Sequence, residues 1–199
     1  MSSYAVPARP VVLADTLPGA RVRDALLVLA GTALMVLLTQ IEIPVPPSPV
    51  PITGQTLGVV VCGAALGANR GGLAMLAYIA LGFFLPVYSD GGTGIGHIWG
   101  ATGGYLVGFV LAAYVVGRLA ELGADRRVLA AFAAFVAGQL VVFGIGVPWL
   151  KVSADLSWST AIHAGFTVFI FGGLVKAVIA GFTTPAAWRL VRRIDSSAR

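Results

Sequence analysis

The chain has 199 residues, 58% of them hydrophobic and only 11% charged, with a mean hydropathy of +0.92. A soluble domain carries about 25% charged residues; this chain cannot cover itself with polar surface, so it belongs in a bilayer as one membrane domain with no room for a soluble catalytic domain. The net charge of +5 would suit a nucleic acid, but the basic residues sit at the ends of apolar runs, which argues against that partner, and the lone Cys62 excludes an internal disulfide and a four-cysteine metal site.

Residues Met1–Asp24 hold Arg9, Arg21, Arg23 and three prolines. No apolar stretch precedes a cleavage site, so the segment reads as a retained cytoplasmic tail. Ala25–Ile43 is the first predicted span; its 19 residues cover about 28 Å as a helix, close to a bilayer core. Gln40–Thr56 (QIEIPVPPSPVPITGQT) carries five prolines within Pro44–Pro51. Proline lacks the amide donor and its ring clashes one turn back, so no helix runs through here. The segment is an extended, stiff flap, edged by Gln40, Glu42, Ser48, Thr53, Gln55 and Thr56. It is either a rigid loop between helices or a lid over a polar pocket.

Thr56–Gly67 is short for a span. It crosses with help from Ile52 onward, or it is re-entrant. A turn over Gly67–Gly72 leads to a third span, Leu73–Val87. Tyr88–Thr102 (YSDGGTGIGHIWGAT) is a polar, glycine-rich loop. Gly103–Leu122 is a fourth span, Gly123–Arg127 a charged turn, Val128–Val147 a fifth span and Pro148–Ser159 a polar loop. Leu156–Arg189 would be about 51 Å long as one helix, too long for a core of about 30 Å. Gly172-Gly173 is the natural break. The sixth span is therefore Gly172–Arg193, bent by Pro185, with Ser157–Phe171 interfacial or re-entrant and 194–199 a cytoplasmic tail. The expected fold is an all-α integral membrane protein of six transmembrane helices, with residues 25–193 as the membrane domain.

Eleven of the thirteen Lys and Arg residues fall on one side of this topology. Only Lys151 lies in an opposite loop, and Lys176 lies within a span. The excess of basic residues in cytoplasmic loops puts both termini in the cytoplasm. The flap, the glycine-rich loop and the Trp149–Trp158 loop then face outside.

Ionisable groups at membrane depth are costly and mark function by default. Lys176 is the sharpest case: a cation for an anionic ligand, a donor to a ligand carbonyl, or a lysine snorkelling to the interface. Asp90 and Glu42 are either site carboxylates or solvated loop residues. His97 and His163 read as interfacial, and Trp99, Trp149, Trp158 and Tyr88 fit an aromatic belt. Tyr105 lies between Gly103-Gly104 and Gly108, where small neighbours leave room for a ligand to stack. GGTGIG at Gly91–Gly96 lacks the strand–helix context of a dinucleotide site. There is no phosphate-binding Gly-Lys-Ser/Thr loop, no HExxH, and no paired His–Asp set for a Ser or Thr nucleophile. A binder or transporter is favoured over an intramembrane enzyme, with no metal and no cofactor in this chain.

Four stretches carry a resemblance: QIEIPVPPSPVPITGQTLG (Gln40–Gly58), LGANRGGLAMLAYIALGFFLPV (Leu66–Val87), TGGYLVGF (Thr102–Phe109) and FGGLVKA (Phe171–Ala177). Together they resemble the biotin-specific substrate-binding subunits (BioY) of energy-coupling factor (ECF) transporters, in order over roughly Leu27–Ala180. The resemblance implies a six-helix bundle of the ECF S-component type in the bacterial cytoplasmic membrane. It implies capture of biotin from outside, with a transmembrane coupling subunit (EcfT- or BioN-like) and two ABC ATPases (EcfA- or BioM-like) that use the ATP. By the same analogy Gln55, Tyr88, Asp90, Thr93 and Tyr105 lie near the ligand, and Lys176 meets its carboxylate or carbonyl. Small residues Ala30, Gly31 and Ala33 are the expected docking face for the coupling subunit. This chain departs from the pattern at Gly173, where the family usually has an acidic residue three before the lysine; Asp90 or Thr93 is expected to supply the missing partner for a ureido N–H. It also has Ala101 where the family often has proline. Transport of biotin without the ATPases and capture of a different vitamin remain the alternatives.

Overall fold

The first half of the chain is organised by one turn at Gly67. The computed structural model describes residues 11–17, 19 and 21–197. Arg9 and Arg199, which contribute to the predicted orientation, lie outside the described residues. Helix α1 (Arg21–Thr39) is followed by α2 (Gln55–Leu66) and α3 (Ala68–Gly82). Gly67 alone joins α2 to α3, at φ +85°, a backbone that side chains resist and glycine accepts. Below the turn the helices touch backbone to backbone. A β-carbon on Gly71 would sit 3.0 Å from Gly63 Cα, and one on Gly63 would sit 2.5 Å from the Ala113 carbonyl of α5 (Gly103–Glu121). Small residues at such contacts let membrane helices pack by close approach.

Asn69–Gly72 are thus not a turn ahead of a span from Leu73. They form the first turn of α3, because polar groups hold that end. Glu121 Oε1 accepts from Ala68 N at 2.9 Å, placing an anion at the helix N-terminus. Arg70 donates to Asp15 at 2.6 Å and to Asp24 at 3.0 Å. Partial burial of the Asp15 carboxyl raises its pKa, but the hydrogen bonds and charge, those of Arg70 foremost, outweigh this and hold it below the ordinary value. Asp24 also explains why α1 starts at Arg21 rather than Ala25: it supplies a carboxylate to the first turn, bonded by Arg23 as well.

The flap is a closed loop rather than a free arm. Strand β1 (Glu42–Ile43) pairs antiparallel with β2 (Ile52–Thr53), in the register Glu42↔Thr53 and Ile43↔Ile52, so α1 ends at Thr39 rather than running to Ile43. At the flap's tip, the Ser48 hydroxyl lies 2.8 Å from the Ala164 carbonyl.

The glycine-rich loop contains a short helix, α4 (Gly94–Trp99). Helix α6 (Val128–Ser153) runs past its expected end at Val147 and through Pro148. The proline ring opposes the carbonyl four residues back. That residue is Gly144, with nothing within 4 Å of where a side chain would start, so the carbonyl can tilt away. Trp149 is therefore helical and reaches the Gly100 carbonyl at 2.9 Å.

The interruption before the last span exists but lies earlier than Gly172-Gly173. Helix α7 (Trp158–Gly165), capped by Ser157, ends at Phe166, a 3₁₀ turn covers Thr167–Phe169, and α8 starts at Ile170 and continues through Pro185 to Ser197. Phe166 and Phe169 turn inward onto Phe143 of α6, at centroid distances of 5.2 and 5.8 Å. Those aromatic contacts, rather than glycine propensity, place the break.

Six main helices result: α1, α2, α3, α5, α6 and α8. Four helical segments among the described residues are long and apolar enough to cross a membrane: Arg21–Thr39, Gly103–Glu121, Val128–Ser153 and Trp158–Arg193. The 12 residues of α2 cover only about 18 Å. It runs along the flap-side part of α1, where Gly31 meets Cys62 and Leu66, and the Arg70 side chain bridges the remaining distance to Asp24. Outward faces carry Leu26, Leu29, Leu37, Leu73, Leu129 and Phe182, all exposed, as a lipid-facing surface requires.

Gly63→Ala is expected to force α2 away from α5 and to destabilise the fold by about 1–3 kcal/mol, the usual cost of overpacking. Thermal unfolding in detergent measures it.

Candidate functional site

The end of the bundle away from the Arg70 cluster holds a narrow cavity of about 40 Å³. Its walls come from the flap base (Val50, Pro51, Thr53), the start of α2 (Gln55, Thr56), the glycine-rich loop (Ser89, His97, Thr102), α5 (Tyr105, Leu106, Phe109), Phe143, Phe169 and Lys176. A wider outer space of about 460 Å³ adjoins it, lined by Glu42, Ser48, Asp90 and Gly92, and shares Pro51, Ser89, His97 and Thr102 with the inner one.

Lys176 lies within the second turn of α8. Its ammonium donates to the Thr53 carbonyl at 2.6 Å and to the Thr56 hydroxyl at 2.9 Å. A lysine has three donors, and no carboxylate of the described residues lies within ion-pair distance. A cation with a spare donor therefore faces a cavity walled by neutral polar, apolar and aromatic side chains.

Gln55 is buried, and both ends of its amide are engaged. Its Oε1 accepts from Thr53 Oγ1 at 2.8 Å, and its Nε2 donates to the Tyr78 hydroxyl at 2.9 Å. Tyr78 bonds onward to the Val87 carbonyl and shares a hydrogen with Thr39. Tyr105 donates to the Gly165 carbonyl at 2.9 Å; its ring, and not its hydroxyl, is what the cavity can use. Asp90 is exposed, at φ +57°, in the outer space, where its N–H donates to Glu42 at 2.8 Å.

Two expected ligand contacts lie off both cavities. Tyr88 is 1% exposed; its hydroxyl donates to the Ile79 carbonyl at 2.6 Å and its ring stacks on His97 at 4.7 Å. It positions the histidine from behind rather than lining the site. Thr93 is spent on the Gly82 carbonyl at 3.1 Å. Gly31 likewise leaves the expected docking face: it is buried against Ala74, Leu66 and Cys62, while Ala30 and Ala33 stay exposed.

Ser89 and Thr102 went unselected in the sequence because loop serines and threonines carry no distinguishing pattern, and His97, read there as interfacial, lines both spaces. Ser89 is 6% exposed, and its hydroxyl has no protein partner among the described residues. His97 Nε2 lies 3.0 Å from the Thr102 hydroxyl. Among the described residues no three His, Cys, Asp or Glu side chains gather where they could hold a metal ion.

A comparison with protein families matches residues 11–193 to the BioY family. The chain belongs to the BioY family. The biotin transporter BioY2 of Lactococcus lactis subsp. cremoris is 35% identical over 157 residues, covering 77% of this chain and 83% of the relative. The biotin transporter BioY of Rhodobacter capsulatus is 41% identical over 150 residues, covering 66% and 75%. Among solved structures, the S-component for biotin from an ECF-type ABC transporter superposes with a TM-score of 0.78 at 25% identity, covering 84% of this chain and 92% of that one. The chain is thus an integral membrane protein with the S-component fold.

Burial holds the His97 imidazole below its ordinary value, against the opposing pull of Asp90. Between the folded value and about 6.5 the unfolded chain then binds the extra proton. Stability from this group is complete above about pH 6.5 and falls as the pH drops through that value, levelling once the folded histidine protonates. The unfolding temperature in detergent is expected to fall between about pH 7 and 5.5, and His97→Gln to flatten that slope.

Proposed function

We propose that this protein is the substrate-capturing subunit of an ECF transporter, which takes biotin at the outer face of the bacterial cytoplasmic membrane. The observation that carries the proposal is Lys176, a lysine with a spare donor and no carboxylate partner, beneath a proline-stiffened flap. Biotin has a carboxylate tail, an apolar thioether ring and a neutral ureido ring with two donors and one acceptor. The Lys176 ammonium is the group for the carboxylate or a carbonyl. Tyr105, Phe109, Phe143 and Phe169 offer apolar and aromatic surface. Ser89, His97 and Thr102 are the polar groups with capacity to spare. Gln55 holds the flap base and α2 in place, and Asp90 serves the outer approach.

The orientation is part of the proposal. Arg21, Arg23, Arg70, Arg118 and Arg126 lie at the end opposite the cavity, and cytoplasmic loops favour basic residues, so the cavity faces out. This chain carries no phosphate-binding loop of its own. Energy would come from two partner ATPases through a transmembrane coupling subunit docked on the face of α1 that presents Ala30 and Ala33. The names of its relatives and the S-component fold support this reading.

Equilibrium binding of labelled biotin to the detergent-purified protein tests it. Wild type is expected to bind tightly, and Lys176→Ala to weaken binding at least about tenfold, or about 1.4 kcal/mol. Unchanged affinity in that variant would remove Lys176 from the site. Biotin uptake in cells that lack the coupling subunit and ATPases is expected to be absent; uptake there would mean transport by this chain alone.

A further inference from the structure

The inner cavity, at about 40 Å³, is far below the roughly 300–1,000 Å³ of ordinary small-molecule sites. It has room for a few waters. The outer space, at about 460 Å³, falls within that range, but a ligand resting there stops short of Lys176, which lines only the inner cavity. The two spaces must join for a ligand to reach the ammonium. Between them stand the four residues that line both: Pro51, Ser89, His97 and Thr102. Three of these are backed by fixed backbone. Pro51 lies between Val50, buried in the core, and the paired strand β2. Ser89 follows Tyr88, which is buried and bonded to Ile79. Thr102 immediately precedes α5, whose first turn is pressed onto α6: a β-carbon on Gly104 would collide with Trp149.

His97 is different, because α4 carries it. None of the six residues of α4 is buried, and Ile98 alone among them packs on the core. Ile95 and Trp99 are 62% and 65% exposed, so the segment gives up little buried surface when it moves. A glycine stands at each of its ends, Gly94 and Gly100. Gly94 sits at φ +76° and Gly91 at φ +63°, and nothing lies within 4 Å of where a side chain would start at either. Glycine takes either sign of φ readily, so the chain on this side turns without collision. On the other side α4 is fastened. Trp149 of α6 donates its ring N–H to the Gly100 carbonyl at 2.9 Å and stacks on Trp99 at 5.5 Å. In the neck itself His97 stacks on Tyr88 and meets the Thr102 hydroxyl.

We propose that α4 is the gate between the outer space and the inner cavity, with Trp149 as its latch. His97 closes the neck while the latch is made. When the latch breaks, α4 swings outward on its glycine joints and the two spaces become one of small-molecule size. Hinges of this kind absorb the motion in a few residues at the ends of an element. The flap stays in place during the step, held at its base by Lys176 on the Thr53 carbonyl and at its tip by Ser48 on the Ala164 carbonyl. The ligand admitted rests on the biotin reading above, which the gate deepens by assigning the route to Lys176; the gate itself is testable without it. Trp149 lines neither space, so its bond holds α4 whether the site is empty or filled. Weakening it therefore changes entry and release together and leaves affinity nearly alone.

Two readouts on the full-length protein in detergent test it. The first needs no ligand. Leu106 is 3% exposed and lines only the inner cavity. In a Cys62→Ser background, Leu106→Cys then reports the open gate through its rate of modification by a water-soluble thiol reagent. Adding Trp149→Phe, which keeps a ring against Trp99 and removes the N–H, is expected to raise that rate about fivefold, the effect of one lost hydrogen bond. The second readout follows association and dissociation of labelled biotin. Trp149→Phe is expected to speed both about fivefold and to move the affinity less than about twofold. Ser48→Ala, which unties the flap instead, is expected to change both rates less. Thermal unfolding reports whether each variant is folded. A folded Trp149→Phe with unchanged modification and unchanged biotin rates would overturn the gate and leave the biotin reading intact. So would a Trp149→Phe that changes dissociation alone, the mark of a residue that merely supports the filled site. A Ser48→Ala that speeds both rates more than Trp149→Phe would overturn it in favour of the flap. Wild type that binds no biotin would overturn the biotin reading, while the modification rate would still decide the gate.

Discussion

The Lys176 ammonium, held between the Thr53 carbonyl and the Thr56 hydroxyl, joins the parts on which the site depends. It ties α8 to the first turn of α2 and to the strand that closes the flap. A cation at this depth is tolerated only with polar partners close by, and the chain provides them by stopping α1 early. The flap then returns to the bundle as β2, delivering the Thr53 carbonyl and the Thr56 hydroxyl to one point. Behind them, Gln55, Tyr78 and Thr39 form a continuous hydrogen-bonded chain that keeps those partners from moving. The cavity is what remains in front of this assembly.

The two ends of the bundle are built differently. At the end with the cavity, contacts between the flap and its surroundings are few and mostly single hydrogen bonds, as at Ser48–Ala164 and Glu42–Asp90. At the other end, ion pairs and buried groups interlock. Arg70 joins Asp15 to Asp24, Trp188 donates to Asp125, and the Arg126 guanidinium lies 4.6 Å over the Trp188 ring. Local stability varies within proteins with the density of such contacts. A firm base and a lightly tethered cover suit the proposed capture of a ligand from one side. Between the two ends, glycines at 63, 71 and 117 bring α2, α3 and α5 within backbone contact, so the layer that carries the load of the fold contains little polar material.

Some of the site could be read from residue type. Lys176 stood out because a charge within an apolar run needs a reason, and Tyr105 because small neighbours flanked it. Gln55 was legible as a polar residue at the edge of the flap, although its amide proves to be turned toward its own neighbours. Tyr88 and Thr93 had equally suggestive positions in sequence, but their hydroxyls satisfy the carbonyls of Ile79 and Gly82 at the end of α3. A side chain's nearest acceptor cannot be known before the chain folds back on itself. Ser89 and Thr102 were missed for the complementary reason: ordinary loop residues become site residues only when the loop is placed.

What the sequence determined by itself was the membrane habitat, the six apolar elements, the stiff flap and the gathering of basic residues toward one end, because hydrophobic length, proline chemistry and the placement of basic residues act locally. Tertiary structure alone decided where helices begin and break, and which polar groups are left free. Helix ends at Arg21, Ala68 and Phe166 follow from partners far away in the chain: Arg70 for Asp24, Glu121 for Ala68, Phe143 for Phe166 and Phe169. A group's availability to a ligand is the difference between its hydrogen-bonding capacity and what the fold already satisfies. Only the first of those two quantities is written in the residue.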